Sequence, residues 1–341
     1  MSAELSSRPD LRQLRRQAKD LLRAAKSGDP DASARIRAVS DRQILASAQL
    51  AVAREYGFAS WRRLKLEVER REILNDRDTA RLRRLLTEDP GLVSEKMERW
   101  CDHPLGVAPL NYVAMLRFDA GRLGLPPGPA GTADVARELI AAGAAVDGHP
   151  DDTETPLITA ASYGDVEVAR TLLEAGAAID AVAAPDAGGA PGGTALLHAA
   201  VFGMTDVVDL LAAAGARVRS IEEAAAVGDV RGWLTADTPI QARIRSLVMA
   251  ADHERLDVID ELVAAGTPVD AIDEHFGRQA LRVASRNGRP ASVRRLLAHG
   301  ADPNLRDEQD RTPLDLTRPD HLDLSHPGHD QAAAILEPLT D

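Results

Sequence analysis

Cysteine is almost absent, with Cys101 the single one among 341 residues. An intramolecular disulfide and a thiolate metal cluster are thereby excluded. Aromatics are scarce too: four Phe, three Trp and three Tyr. So little aromatic bulk disfavours a large-residue β core and suits closely packed, alanine-rich helices. No apolar run approaches the ~18 residues of a membrane span. No apolar segment followed by a cleavage site opens the chain, so a soluble, cytoplasmic protein without a membrane partner is expected. Standard catalytic signatures are missing as well: there is no GxSxG, GxxxxGK[ST], HExxH or helix-opening GxGxxG. No cofactor is expected.

Net basic charge is also lacking. The formal charge of −12 argues against general nucleic-acid binding. It is unevenly spread: residues 1–71 hold 16 Lys and Arg against 9 Asp and Glu, a local +7, which leaves −19 for residues 72–341. Two readings stand side by side, solvated helix faces or a basic head that docks on an acidic body.

What the chain does have is repetition. A helix-ending glycine recurs in "LIAAGAAVD" at Gly143, "LLEAGAAID" at Gly176, "LLAAAGARV" at Gly215, "LVAAGTPVD" at Gly266 and "LLAHGADPN" at Gly300. The gaps are 33, 39, 51 and 34 residues. The 39 contains the loop "AAPDAGGAPGG", Ala183 to Gly193, and the 51 contains a shortened unit, "SIEEAAAVGDVRGWL", Ser220 to Leu234. Within "ETPLITAASYGDVEVARTLLEAGAAID", Thr155 and Pro156 suit a helix start. Gly164 and Gly176 suit left-handed helix ends.

From about Glu72 onward these residues resemble the ankyrin-repeat family, whose period is roughly 33 residues. The resemblance implies an all-α array of helix–turn–helix units joined by β-hairpin turns, stacked because one unit cannot bury its own apolar face. Units are expected near 72–107, 108–148, 150–182, 193–219, 220–236, 243–272, 275–306 and 308–338. Insertions are expected at 117–131, 183–193 and 317–330. The array departs from the family's TPLHxAA signature: its histidine position holds Asn111, Ile158, Leu197, Val248, Arg282 and Asp315, while His198 lies one place beyond.

Residues 1–71 differ. Leu11, Leu14, Ala18, Leu21, Leu22 and Ala25 are at helical spacing, with Gly28 and Pro30 as a stop. Two further helices break at Gly57, the second capped by Ser60. Through "REYGFASW" this stretch is similar to the small helical segment preceding ankyrin arrays in some bacterial proteins. Tyr56, Phe58 and Trp61 are expected as packing anchors, and the segment as a cap on the first repeat.

In the ankyrin family the ligand-facing positions are hairpin tips and the residues after the Ala-Ala of the first helix. That resemblance nominates Asp151, Asp152, Glu154, Ser162 and Tyr163, then Val201 and Phe202, then Asp252 and His253. His275, Phe276, Arg278, Arg286 and Asn287 follow, with Glu308, Gln309 and Arg311 last. Three of the ten aromatics, Tyr163, Phe202 and Phe276, fall among them, and exposed aromatics are typical hot spots. The leading expectation is a recognition module whose concave groove takes a protein or a neutral or cationic small molecule. The alternative is an unconventional enzyme using Asp102, Asp119, Asp151, Asp152, Asp252 or His253 as acid or base. No metal site is expected; "RPDHLDLSHPGHD", with His321, His326 and His329, reads as a solvated loop.

Overall fold

The computed structural model describes residues 5–6, 8–97, 106–121, 123–125, 130–318 and 327–340, without the side chains of residues 118, 119 and 327. Among the described residues every regular element is helical, apart from three isolated antiparallel bridges. No helix there is long and apolar enough to cross a membrane. The chain divides into two compact units, Met1–Asp152 and Thr153–Asp341.

The first unit contains α1 (Leu11–Lys26), α2 (Pro30–Arg37), α3 (Leu45–Glu55), α4 (Trp61–Asp76), α5 (Thr79–Glu88), α6 (Pro109–Asp119) and α7 (Thr132–Ala141). Asp10 starts α1 by accepting from Arg12 N at 2.6 Å, and the stripe Leu14, Ala18, Leu21 and Ala25 is buried. It meets Phe58, Leu64 and Val68 in one core, with Tyr56 and Trp61 packed at its margin. The three aromatics of "REYGFASW" therefore do pack. The expected boundary at 71/72 falls inside α4, which runs unbroken across it.

That helix buries charge. Glu67 accepts from Arg70 Nη2 at 2.6 Å and Arg71 Nε at 2.8 Å, and all three are at least 98% buried. Arg70 Nη1 also donates to the Glu95 carbonyl at 2.7 Å. Such a cluster holds only while each ion keeps its partners.

The second unit is a run of repeats. Inner helices are α8 (Pro156–Tyr163), α10 (Ala195–Val201), α12 (Ile221–Val227), α13 (Ile240–Asp252), α15 (Ala280–Arg286) and the short α17 (Pro313–Leu316). Outer helices are α9 (Val166–Glu174), α11 (Thr205–Ala213), α14 (Leu256–Ala264), α16 (Pro290–Ala298) and α18 (Pro327–Leu336). Thr155 caps α8 and Thr194 caps α10 through their hydroxyls. The first four outer helices bury one stripe each: Val168 and Leu172, Val207 and Leu211, Ile259 and Leu262, Val293 and Leu296. Outer helices pack side by side as α9 with α11 and as α14 with α16. Hairpins close at Val182–Thr194 and Ile272–Gln279.

One repeat is incomplete. After α12 the outer helix is reduced to a single turn, in which Trp233 N and Leu234 N both donate to the Val230 carbonyl. No hairpin then precedes α13, which is thirteen residues long. The shortened unit expected at Ser220–Leu234 is therefore a one-helix repeat.

Candidate functional site

Beside the incomplete repeat, the turns that follow the inner helices bond one another. The turn after α13 meets the turn after α10, two inner helices upstream. His253 Nε2 lies 2.9 Å from the Ala200 carbonyl and Nδ1 lies 3.0 Å from Thr205 Oγ1. A carbonyl only accepts, so Nε2 carries the proton and Nδ1 accepts from the threonine. Burial pushes His253 below the ordinary histidine pKa, against the opposing pull of Asp252.

Asp252 is 3% exposed. It accepts from Asn287 Nδ2 at 2.7 Å and lies 3.8 Å from Arg289 Nε. Arg289 Nη2 donates to the Gly203 carbonyl at 2.8 Å, and Arg278 Nη1 to the Val201 carbonyl at 3.0 Å. Gly203, at φ 71°, sits so close that a Cβ there would come within 2.9 Å of the Asp252 carboxylate. Asp252, His253, Asn287, Arg278 and Val201 are thus brought together, as a staple within the chain.

A second histidine uses the same device. His198 Nε2 donates to the Ala190 carbonyl at 3.0 Å and Nδ1 accepts from Ser162 Oγ at 2.8 Å. Desolvation lowers its pKa, opposed by the Ala190 hydrogen bond. Ala190 belongs to the 183–193 insertion, which folds back along α10 until Gly189 lies against the Phe202 ring. The insertion covers this part of the inner face, and Phe202 keeps 39% exposure. Tyr163 is half-buried and Ser162 buried.

The remaining nominated residues are scattered. Asp152 pairs with Lys96 Nζ at 2.8 Å and accepts from His149 N, while Asp151 is exposed. Glu154 accepts from Thr159, and desolvation raises its pKa. Arg286 is exposed, its carbonyl accepting from His329 Nε2 at 2.9 Å. Arg311 pairs with Asp307 at 2.9 Å, and Glu308 and Gln309 are exposed at that tip. Asp102 lies outside the described residues, as do His321 and His326 and the side chain of Asp119. No group of three metal-ligating side chains occurs among the described residues.

The best-formed exposed feature is the tip of the second hairpin. Asp273, 1% exposed, accepts from the backbone N–H of His275 at 3.0 Å, Phe276 at 3.2 Å and Arg278 at 3.2 Å. His275 packs edge-on to Phe276 at 4.2 Å, and the Arg278 guanidinium lies 5.0 Å from the Phe276 ring centre. Phe276 is 46% exposed and Ile272 48%. Asp273 was not among the nominated residues; its place two before His275 is the signal that would have found it. Sequence reasoning also missed a cleft of about 570 Å³ in the head, between α1, α2 and α3, where Glu55 clamps Arg35 at 2.7 Å.

Stacked helix pairs with hairpin turns define a helical repeat protein. Residues 129–222 match a family model described as ankyrin repeats (3 copies), and residues 262–316 match one described as ankyrin repeats (many copies). Among solved structures the chain is similar to the human ASB11 ankyrin repeat domain, at 22% identity and TM-score 0.33. That match covers 67% of this chain and 97% of the other. The chain carries ankyrin repeats. The stretch between the two matched segments holds the one-turn remnant and the long α13.

Proposed function

We propose that the chain is a recognition module that binds a protein partner through its exposed hairpin edge, with Phe276 as the anchor. Ankyrin repeats generally serve as protein-interaction modules. The observation that carries the reading is the Asp273-braced tip. Three backbone N–H groups held by one buried carboxylate fix the loop, so little order remains to be gained on binding. An aromatic ring held out on such a loop has the makings of a hot spot. Tyr163 and Phe202 are the secondary contacts, each partly covered by its own repeat. Both ring nitrogens of His253 and the carboxylate of Asp252 are engaged within the chain, which favours binding over acid–base chemistry at that pair.

The test is proximity labelling or cross-linking in the native host, comparing the natural chain with Phe276→Ala. A partner captured by the first and lost by the second, with unchanged circular dichroism, supports the reading. An unchanged partner set sinks it.

A further inference from the structure

We infer that the face left open by the one-helix repeat is a second docking site, for a basic amphipathic helix of a partner protein. It is separate from the hairpin edge and goes beyond the reading above. In the complete repeats each outer helix lies beside the next. Between α11 and α14 that neighbour is missing, and the Arg255 side chain spans the space, its Nε donating to the Ala226 carbonyl at 2.7 Å while Nη2 pairs with Asp209. A cleft of about 400 Å³ opens there, between Val227–Gly228 and the Glu254–Val258 stretch. Trp233, 39% exposed, stands on the remnant turn.

Charge selects the occupant. α11 carries Asp206 and Asp209, α14 carries Asp257, Asp260 and Glu261, and neither helix contains Lys or Arg. Three nearby cations are engaged, Arg255 with Asp209, Arg231 with Asp229 and within reach of Glu261, and Arg295 with Asp260. The exposed carboxylates of Asp206, Asp257 and Glu261 therefore set the sign of the rim. Opposite charges across such a rim steer and orient a partner. The flanking outer helices are nine residues long, so the fitting segment is a helix of about that length, ~14 Å at the usual rise. Its apolar stripe would enter the cleft and its Lys or Arg residues would meet the rim.

The chain contains a ready probe. A synthetic peptide with the sequence of residues 289–300, "RPASVRRLLAHG", is an outer helix with a basic face. Its labelled form is titrated with the full chain by fluorescence anisotropy, beside a peptide in which both positions 294 and 295 are Glu. The basic peptide is expected to bind saturably and more weakly as salt is added. The double variant Asp257→Lys/Glu261→Lys should weaken it at least tenfold without changing circular dichroism. Phe276→Ala should leave it unchanged, which separates this site from the hairpin edge. Equal binding of the acidic peptide, full binding by the Lys variant, or no binding up to about 1 mM would each overturn the inference.

Discussion

The complete repeat "GDVEVARTLLEAG" and the truncated one "GDVRGWLTADTP" begin alike, at Gly164 and Gly228. In the first, Asp165 caps α9 through Val168 N at 3.1 Å, and the stripe Val168, Ala169 and Leu172 goes under the inner helices. In the second, Asp229 bonds Arg231 N at 3.0 Å, Gly232 turns left-handed at φ 87°, and the chain leaves after one turn. A cap therefore nucleates a helix only where an apolar stripe follows to hold it, since most helical stability comes from packing. Beside the truncated repeat the turns after α10, α13 and α15 converge, His253 bonding the Ala200 carbonyl, Asn287 the Asp252 carboxylate and Arg289 the Gly203 carbonyl.

The sharpest way to break this comparison is Asp252→Leu. Asn287 would lose its acceptor and Arg289 its ion-pair partner inside the staple, at an expected cost of about 3 kcal/mol. Ser162→Ala, in the complete repeat, should cost about 1 kcal/mol. Denaturant unfolding measures both, and equal losses would show that the staple carries no special weight.

Next in size is a pair of glycines. Gly203→Ala meets the Asp252 carboxylate at 2.9 Å as well as an unfavourable φ, whereas Gly176, at φ 88°, has nothing within 4 Å. The first should cost about 2–3 kcal/mol and the second about 1 kcal/mol. A reversed order of melting temperatures would mean that the turn after α10 has room to spare.

A smaller effect concerns pH. His198 and His253 both have pKa values depressed by burial, so the unfolded chain binds protons more readily than the folded one. Their contribution is fully present above the unfolded value of about 6.5 and is lost as pH falls from there toward the folded values. Stability should thus decline on acidification through pH 6, and His253→Gln should flatten the decline. A profile that is flat for the natural chain between pH 7 and 5 contradicts it. The smallest expected effect is Phe276→Ala, within about 0.5 kcal/mol of the natural chain, because that ring is held at a surface tip. A larger loss of stability would make it a packing residue.

Much of the fold was legible in the sequence. Recurring helix-ending glycines, Thr-Pro starts and paired apolar positions are local signals, and they pointed to an all-helical repeat fold. The head's buried stripe was equally readable. Much of the candidate site was not. Position within a repeat nominated Asp252 and His253 as ligand-facing, yet both are buried, because the turns after α10 and α15 supply their hydrogen-bond partners. The 183–193 insertion was visible as extra length, but its course along α10 is set by contacts the pattern does not show: the Ala190 carbonyl on His198, Gly189 against Phe202 and Ala184 N on the Thr153 carbonyl. Asp273 escaped notice although it stands two before His275, because which acidic loop residue takes up the turn's N–H groups depends on the turn that forms.

The sequence by itself determined where helices begin and end and which stripes must be covered, since caps, left-handed glycines and helical spacing act over a few residues. It determined also that one outer helix would fail. Tertiary structure alone decided which polar groups meet across that failure, which hairpin tip holds an aromatic outward, and which acidic faces lack a neighbour. Those outcomes depend on the approach of turns as many as 86 residues apart, as in the Arg289 bond to Gly203. Pairing at that range is set by how whole helices stack rather than by local chemistry.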